Sequence, residues 1–170
     1  MEKGKNIVLI GMPGAGKSTV GVLLAKAMGR YFLDTDVFIQ ATEGRNLCDL
    51  INQKGLEGFC RIERQYAECV DIENAVIATG GSVVYYDSAM RHLKENGVIV
   101  YLEIGLEELE RRLTDMAGRG VVIDPGMTLT GLYEKRRPLY EKYADVTIHT
   151  ADLTHEQTVG EILKNLQERL

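Results

Sequence analysis

The sequence predicts an α/β fold in which helices cover both faces of a parallel sheet. Short apolar runs alternate with amphipathic segments along the 170 residues, which is the pattern of a doubly wound domain. The apolar runs are nearly continuous, as expected for strands that are buried on both faces. The first run, at 7–10, leads directly into a glycine-rich loop and then a helical segment. A chain of this length suits one core, and we expect residues 1–170 to form a single domain.

Each predicted element follows from local composition and from the residues that start or stop it. Five apolar runs are predicted to form a five-stranded parallel sheet, with strands at 7–10, 31–33, 75–78, 98–102 and 146–149. Helices are predicted over 17–28, 37–42, 47–54, 56–72, 88–96, 106–115, 129–143 and 155–169. Gly29 and Gly97 follow two of these helices and are expected to adopt the left-handed conformation of a C-terminal cap. Thr154 and Gln157 have the spacing of a capping box for the last helix.

Composition and charge argue against several classes of function. A net charge of −5 does not favour a general affinity for nucleic acid or membrane surfaces. The three cysteines lack C-x-x-C spacing, so we expect neither a disulfide framework nor a zinc site, and reduced thiols fit the cytoplasm. No run approaches the ~20 apolar residues of a membrane helix. We therefore expect a cytoplasmic monomer that acts on a small molecule, with no nucleic-acid or membrane partner.

The strongest functional signal is the stretch from Gly11 to Thr19, which contains the pattern G-x-x-x-x-G-K-[ST]. Its glycines allow the backbone to wrap closely around a phosphate, and the following helix adds a partial positive charge. In this pattern Lys17 reaches the β- and γ-phosphates of a nucleotide, and the Ser18 hydroxyl binds Mg²⁺. The residues expected to bind ATP here are Gly11, Gly14, Ala15, Gly16, Lys17, Ser18 and Thr19. A glycine-rich turn with a surface lysine is the alternative interpretation.

Two further strand ends carry polar residues or glycines, and parallel strands bring these loops to one edge of the sheet. Asp34 and Asp36 follow the second strand. We assign Asp34 to Mg²⁺, which prefers oxygen ligands, and Asp36 to a substrate hydroxyl whose proton it accepts. Alternatively, one of the two carboxylates caps the next helix. Gly80 and Gly81 follow the third strand and either present backbone N–H groups to a substrate or form a tight turn.

Three arginines lie where a guanidinium can serve catalysis or binding. The segment at about 117–127 is rich in glycine, and we predict a mobile lid that carries Arg119 onto the transferring phosphoryl group. One arginine of the pair at 136–137 can bind a carboxylate through two parallel hydrogen bonds, and one of the pair at 111–112 can stack on an adenine face. Solvent-exposed arginines are the alternative, and we expect this for one member of each of the pairs 111–112 and 136–137.

Together these residues resemble the shikimate kinases, a family of small P-loop phosphotransferases with the nucleoside-monophosphate-kinase fold. The shared motifs are the loop at 11–19, the D-T-D triplet at 34–36, the T-G-G run at 79–81, Arg119 and the R-x-P-L-Y segment at 136–140. The resemblance implies a substrate-binding helical segment at about 37–72 and catalytic roles for Lys17, Asp36 and Arg119. It implies Mg²⁺ at Ser18 and Asp34, adenine at Arg112, and substrate at Asp36, Gly80, Gly81 and Arg136. The implied reaction transfers the γ-phosphate of ATP to the 3-hydroxyl of shikimate, in the chorismate route to aromatic amino acids.

One residue differs from the family pattern F-R-x-x-E, because this chain has F-C-R-I-E at 59–63. The family arginine binds the shikimate carboxylate, so Cys60 occupies a substrate-binding position with a side chain that carries no positive charge. Arg64 lies one helical turn away and is an alternative partner for the carboxylate. Ser82 replaces the third glycine of the family's G-G-G. Two other functions stay open: a kinase of a different small hydroxylated metabolite, and a nucleotide-binding protein without turnover.

Overall fold

The computed structural model describes residues 4–114 and 126–167, which form a five-stranded parallel sheet flanked by helices. The strands are β1 (Asn6–Ile10), β2 (Tyr31–Asp34), β3 (Ala75–Ala78), β4 (Gly97–Glu103) and β5 (Val146–His149). Their spatial order is β2-β3-β1-β4-β5, and every neighbouring pair is parallel. Strand β1 lies at the centre with all five residues buried. The loops after β1, β2 and β3 therefore leave the same edge of the sheet at adjacent positions.

Seven α-helices lie within the described segments and cover the sheet. They are α1 (Lys17–Met28), α2 (Thr35–Glu43), α3 (Leu47–Glu68), α4 (Asp87–Glu95), α5 (Leu106–Thr114), α6 (Leu129–Tyr143) and α7 (His155–Leu166). A single 3₁₀ turn (Val83–Tyr85), which the sequence pattern did not predict, follows β3. Helix α1 packs against α7 and β3, whereas α3 packs against α2 and α4. The α/β fold and the five predicted strands are confirmed. Over these residues no helix is long and apolar enough to cross a membrane.

The two helices predicted at 47–54 and 56–72 form one kinked helix in the structure. Gly55 has a φ of 69°, which is non-helical, yet helical residues continue directly on both sides of it. The helix begins at Leu47 and is capped by Asn46, whose side chain accepts a hydrogen bond from the N–H of Asp49. It ends at Glu68 rather than at residue 72. Residues 59–63 lie in the second part of α3, after the kink.

The predicted left-handed cap at Gly97 is wrong, whereas the cap at Gly29 is confirmed by a φ of 63°. Helix α4 ends at Glu95, and Asn96 follows with a φ of −118°. Gly97 is instead the first residue of β4, where an added Cβ would lie 2.6 Å from the Leu93 carbonyl oxygen. A close approach of helix and strand, and not a positive φ, therefore requires this glycine. The capping box of Thr154 and Gln157 is present as predicted.

Candidate active site

The loop after β1 has the backbone conformation that a phosphate-binding loop requires. Gly11, Gly14 and Gly16 have φ values of 145°, 83° and 92°, a region that residues with a Cβ rarely adopt. A Cβ on Gly11 would also lie 2.7 Å from the carbonyl oxygen of Leu102. Gly16 is the N-cap of α1 and has no side chain to satisfy the N–H groups of the first turn. Those N–H groups and the helix dipole therefore form an anion site at the end of the loop.

Lys17 is buried at the base of this loop. Its Nζ donates hydrogen bonds to the carbonyl oxygens of Gly11 at 2.8 Å and Met12 at 2.9 Å. The pKa of Lys17 is lowered to about 8, chiefly because burial disfavours the charged form; Asp36 opposes the shift, and the charge of Arg136 contributes to it. A buried ammonium ion of this kind gains most from an anionic partner, because desolvation weakens its charged form. The surface-lysine interpretation is therefore wrong.

A cleft of about 630 Å³ adjoins the loop and has the size and lining expected of a nucleotide site. Of the predicted ATP-binding residues, it is lined by Gly14, Gly16, Lys17, Ser18, Thr19 and Arg112. Ala15 lies within the loop and uses its N–H in a hydrogen bond to the Met12 carbonyl at 3.1 Å.

Arg112 lies beside the loop as predicted, with Nη1 donating to the Gly14 carbonyl oxygen at 3.3 Å. Its Nε also donates to Glu108 Oε1 at 2.7 Å, which fixes the guanidinium along α5. Arg111 is exposed and pairs with Glu108, so it is the surface member of this pair.

A further wall of the nucleotide cleft was not predicted from the sequence. This wall is formed by the start of α7, and the residues are Leu153, Thr154, His155 and Glu156. A Cβ on Gly16 would lie 3.3 Å from His155 Nε2, so this imidazole approaches the phosphate-binding loop closely. The capping box predicted the start of a helix at this point in the sequence. The order of the strands in the sheet is needed to show that this helix start lies near the loop after β1.

Asp34 and Asp36 have different environments, although both follow β2. Asp34 Oδ1 accepts hydrogen bonds from the N–H groups of Asp36 at 3.0 Å and Val37 at 3.1 Å, and so caps α2. Asp36 lines the nucleotide cleft with Lys17. Burial, followed by the negative charge of Asp34, raises the pKa of Asp36 to about 6, and Lys17 partly counteracts the shift. A carboxylate with a raised pKa in a cleft suits proton transfer.

A second pocket, of about 270 Å³, lies between α3, the 3₁₀ turn and α6. It is lined by Leu56, Glu57, Cys60, Tyr85, Tyr86, Leu132, Lys135 and Arg136. We call it the acceptor pocket. The two residues that the family pattern assigned to carboxylate binding, Cys60 and Arg136, are thus brought to one place from opposite walls.

Arg136 is held rigidly in the acceptor pocket. It is 1% exposed, its Nε donates to the Tyr85 hydroxyl at 3.0 Å, and its guanidinium carbon lies 5.1 Å from the Tyr85 ring centroid. Helix α6 is anchored by Tyr140, which stacks on Tyr101 at 5.2 Å and donates to the Gly81 carbonyl oxygen at 2.7 Å. Arg137 is instead half-exposed and donates to Glu141 at 2.8 Å, as expected for one member of this pair.

Glu63 is a buried carboxyl group whose importance the sequence analysis did not predict. It accepts a hydrogen bond from the Ser82 hydroxyl, and Ser82 lies 3.6 Å from the Cys60 thiol, which donates to it. Burial, followed by the charge of Asp36, raises the pKa of Glu63 to about 8. The substitutions at positions 60 and 82 therefore belong to one hydrogen-bonded chain that ends at Glu63.

Gly80 and Gly81 allow the backbone after β3 to lie very close to neighbouring side chains of the site. A Cβ on Gly80 would overlap Glu63 Oε1 and lie 2.9 Å from Asp36 Oδ1. A Cβ on Gly81 would lie 3.0 Å from both Arg136 Nη1 and Pro13 Cδ. Neither glycine has a positive φ, so the alternative of a tight turn that needs a positive φ is wrong, and close approach explains both glycines.

Replacement of Gly80 with alanine should therefore destabilise the protein and impair the site together. We expect a loss of about 2 kcal/mol in unfolding free energy from overpacking against Glu63, and a fall in kcat/KM because Asp36 must move. Thermal unfolding and steady-state kinetics measure the two effects. Gly160→Ala is the matched control, because that glycine lies in α7 with open space around its Cβ position; this variant should be neutral or slightly stabilised. A Gly80→Ala protein as stable as the parent would contradict the proposed packing.

Fold and site together define the class of the protein. A phosphate-binding loop, a buried lysine and an aspartate at the next strand end adjoin a pocket with a buried arginine, which is the arrangement of a P-loop phosphotransferase acting on a small molecule. The family model described as shikimate kinase matches residues 13–167, and the chain belongs to the shikimate kinase family.

Individual relatives agree with this assignment. The chain is 43% identical to a shikimate kinase of Synechococcus sp. (strain RCC307) over 142 residues, covering 81% of this chain and 72% of the relative. It is 35% identical to a shikimate kinase of Sulfurihydrogenibium sp. (strain YO3AOP1), covering 97% and 99%. Among solved structures, shikimate kinase from Acinetobacter baumannii in complex with shikimate has a TM-score of 0.87 at 33% identity, covering 99% of this chain and 97% of that one.

Proposed function

We propose that this chain transfers the γ-phosphate of ATP to the 3-hydroxyl of shikimate, with Mg²⁺ as the cofactor. Family membership supplies ATP as the co-substrate and a hydroxyl as the acceptor. The observation that carries the proposal is the position of Asp36, which lines the nucleotide cleft while its Oδ1 lies 2.9 Å from a Cβ position on Gly80. This single carboxylate thus lies between the phosphate-binding loop and the glycines beside the acceptor pocket.

In the proposed reaction each described residue has a limited and separate task. Lys17 stabilises the negative charge that spreads over the transferring phosphoryl group. Asp36 orients the acceptor hydroxyl and takes its proton as the oxygen attacks. Arg136 holds the acceptor by its carboxylate, which fixes the hydroxyl relative to the γ-phosphate. Arg119 and residues 117–125 of the predicted lid lie outside the described residues, and their catalytic role stays a proposal.

The proposed magnesium site consists of two oxygen donors, the Ser18 hydroxyl and the Asp34 carboxylate. Ser18 is the second residue of α1 and lines the cleft, and the Asp34 carboxylate has one oxygen, Oδ1, engaged in capping α2. Mg²⁺ keeps several waters and binds phosphates through few protein ligands, so one hydroxyl and one carboxylate suit it. The described residues contain no cluster of three or more His, Cys, Asp or Glu side chains that could hold a metal ion. The ion would neutralise phosphate charge during transfer.

The proposal is tested by measuring ADP release with shikimate, quinate, gluconate and nucleosides as acceptors. We expect turnover above the ATPase background with shikimate. We expect every other acceptor in this panel to be phosphorylated more slowly than shikimate. Faster turnover with a different acceptor would show that this acceptor, and not shikimate, is the preferred substrate. No turnover with any acceptor, despite ATP binding, would instead indicate a nucleotide-binding protein.

Introducing an arginine at Cys60 should improve shikimate binding. Cys60 is nearly buried and lines the acceptor pocket opposite Arg136, so a guanidinium there would add a second charge-assisted partner for the carboxylate. Such bonds contribute roughly 1.5–3 kcal/mol, which predicts a KM for shikimate about tenfold lower or more. Cys69→Arg is the control, because that cysteine is exposed at the end of the same helix. If Cys60→Arg leaves the KM unchanged, residue 60 does not contact the acceptor.

A further inference from the structure

We propose that Lys135 is a specificity-determining residue of the acceptor pocket, where it binds the acceptor carboxylate together with Arg136. This inference rests on the proposed function, because it takes the acceptor to be a carboxylate. It assigns to α6 the second positive charge that the family pattern places on α3.

Lys135 and Arg136 lie on the face of α6 that borders the acceptor pocket. Leu132 also lines this pocket, and the spacing of three and four residues from it places the two cations on one face of the helix. Arg137, the next residue, pairs with Glu141 and is not in the lining. The position of Lys135 is therefore set by the helical period and is not shared by its basic neighbour.

Tyr85 brings the two cations to the same wall of the pocket. Lys135 Nζ lies 5.2 Å from the centroid of the Tyr85 ring, and the guanidinium carbon of Arg136 lies 5.1 Å from the same centroid. Cation–π contact of this kind favours conformations in which the lysine side chain lies against the pocket. A planar carboxylate bound by Arg136 would thus enter a region that already has a second positive charge within reach.

Helix α3 supplies no cation to the lining of this pocket among the residues described. Cys60 donates its thiol hydrogen to Ser82, and Arg64 lies 5.5 Å from the Tyr86 ring centroid and 3.8 Å from Glu68. Arg61 donates to Glu57 at 2.7 Å, which offsets the negative charge of the one carboxylate in the lining. Arg64 is not itself in the lining of the pocket, although it contacts Tyr86, which is, and the two lining cations both come from α6.

A lysine differs from an arginine in ways that the experiment can detect. The ammonium ion is a compact charge on a flexible stem and cannot form the paired, planar hydrogen bonds of a guanidinium. Its contribution therefore depends on ligand charge more than on ligand shape. Lys135 is exposed, so salt should weaken this contribution more than that of buried Arg136. The discriminating ligand is the methyl ester of shikimate, which keeps the ring and hydroxyls but has no charge.

The test measures binding of shikimate and of its methyl ester to the parent chain and to Lys135→Met by calorimetry, and phosphorylation of shikimate by ADP release. We expect Lys135→Met to weaken shikimate binding about tenfold, with little change for the ester. The KM for shikimate should rise in parallel while kcat stays within about twofold, as expected for a lost contact that is equal in ground and transition states. Lys135→Arg should retain the preference for shikimate over the ester.

Arg137→Gln is the matched control, since it removes a positive charge from the adjacent position of the same helix and should leave both ligands unaffected. Equal weakening of shikimate and ester in Lys135→Met would indicate a structural effect and overturn the inference. An affinity for shikimate that is the same in Lys135→Met as in the parent chain would also overturn it. The proposed function would still stand in that case, provided that the parent chain phosphorylates shikimate. A parent chain that neither binds nor phosphorylates shikimate would overturn both proposals.

Discussion

Replacing Lys17 with methionine should reduce kcat about a thousandfold, which corresponds to roughly 4 kcal/mol of transition-state stabilisation. Lys17 is buried below the phosphate-binding loop, and two loop carbonyls hold its ammonium group at 2.8 and 2.9 Å. Methionine keeps most of the length of the side chain but has no charge to place against the γ-phosphate. The measurement is steady-state ADP release with saturating ATP, Mg²⁺ and shikimate.

ATP affinity should fall less than kcat in this variant, because the loop glycines and the N-terminus of α1 still bind phosphate through the backbone. Lys26→Met is the control, since Lys26 lies on the exposed surface of the last turn of the same helix. Calorimetry with ATP and Mg²⁺ separates binding from turnover. A Lys17→Met protein that binds ATP and turns over like the parent would refute the assignment of this loop as the phosphate site.

The features that could be predicted from sequence are those set by local chemistry. The glycines of the loop require positive φ values, and a pattern of eight residues is enough to specify them. Strand ends could be predicted because buried parallel strands are short apolar runs, so the convergence of Asp36 with Lys17 followed from the fold class alone. The alternation of cap signals and apolar periodicity likewise predicted α6 and the start of α7 at their observed residues.

The features that could not be predicted depend on contacts between distant segments. Gly97 has the sequence context of a helix cap. The reason for the glycine is instead that a carbonyl oxygen of α4 leaves no room for a Cβ, and this contact exists only because α4 packs on the sheet. The hydrogen bonds that join Cys60, Ser82 and Glu63 connect residues about 20 positions apart. From sequence alone, Cys60 and Ser82 are two separate departures from the family pattern, which has an arginine and a glycine at these positions. In the structure the two side chains are joined by a hydrogen bond.

The acceptor side also shows why single-residue motifs predict binding incompletely. The pair Arg136–Arg137 could be separated into a buried and an exposed member only by knowing which face of α6 meets the sheet. Lys135 belongs to no motif, yet its spacing of three from Leu132 places it beside the same pocket, and sequence can contain this signal. Helical spacing around a known site residue therefore identifies neighbouring side chains that the motif alone does not.

Replacing Asp36 with asparagine should lower kcat by about 10²- to 10⁴-fold, because the amide can orient the acceptor hydroxyl but cannot take its proton. The side chains are nearly the same size, and asparagine removes a carboxylate that burial disfavours in its charged form. Protein stability should therefore be retained, and ATP affinity should change by no more than about twofold, since the loop is untouched. Asp49→Asn, the same change at an exposed position on α3, provides the control for loss of one negative charge.

The pH dependence of kcat/KM distinguishes proton acceptance from a purely structural role of Asp36. Its pKa is raised to about 6, so the carboxylate is ionised and competent above that pH and becomes protonated below it. For the parent chain kcat/KM should thus fall tenfold per pH unit on the acid side of about pH 6. The fall of kcat with decreasing pH should occur at lower pH than that of kcat/KM. In the substrate complex, the positive charges of magnesium and Lys17 favour the ionised form of Asp36. In Asp36→Asn the acid limb should disappear from the residual activity, and its persistence there would assign the titration, and the proton acceptor, to a different group.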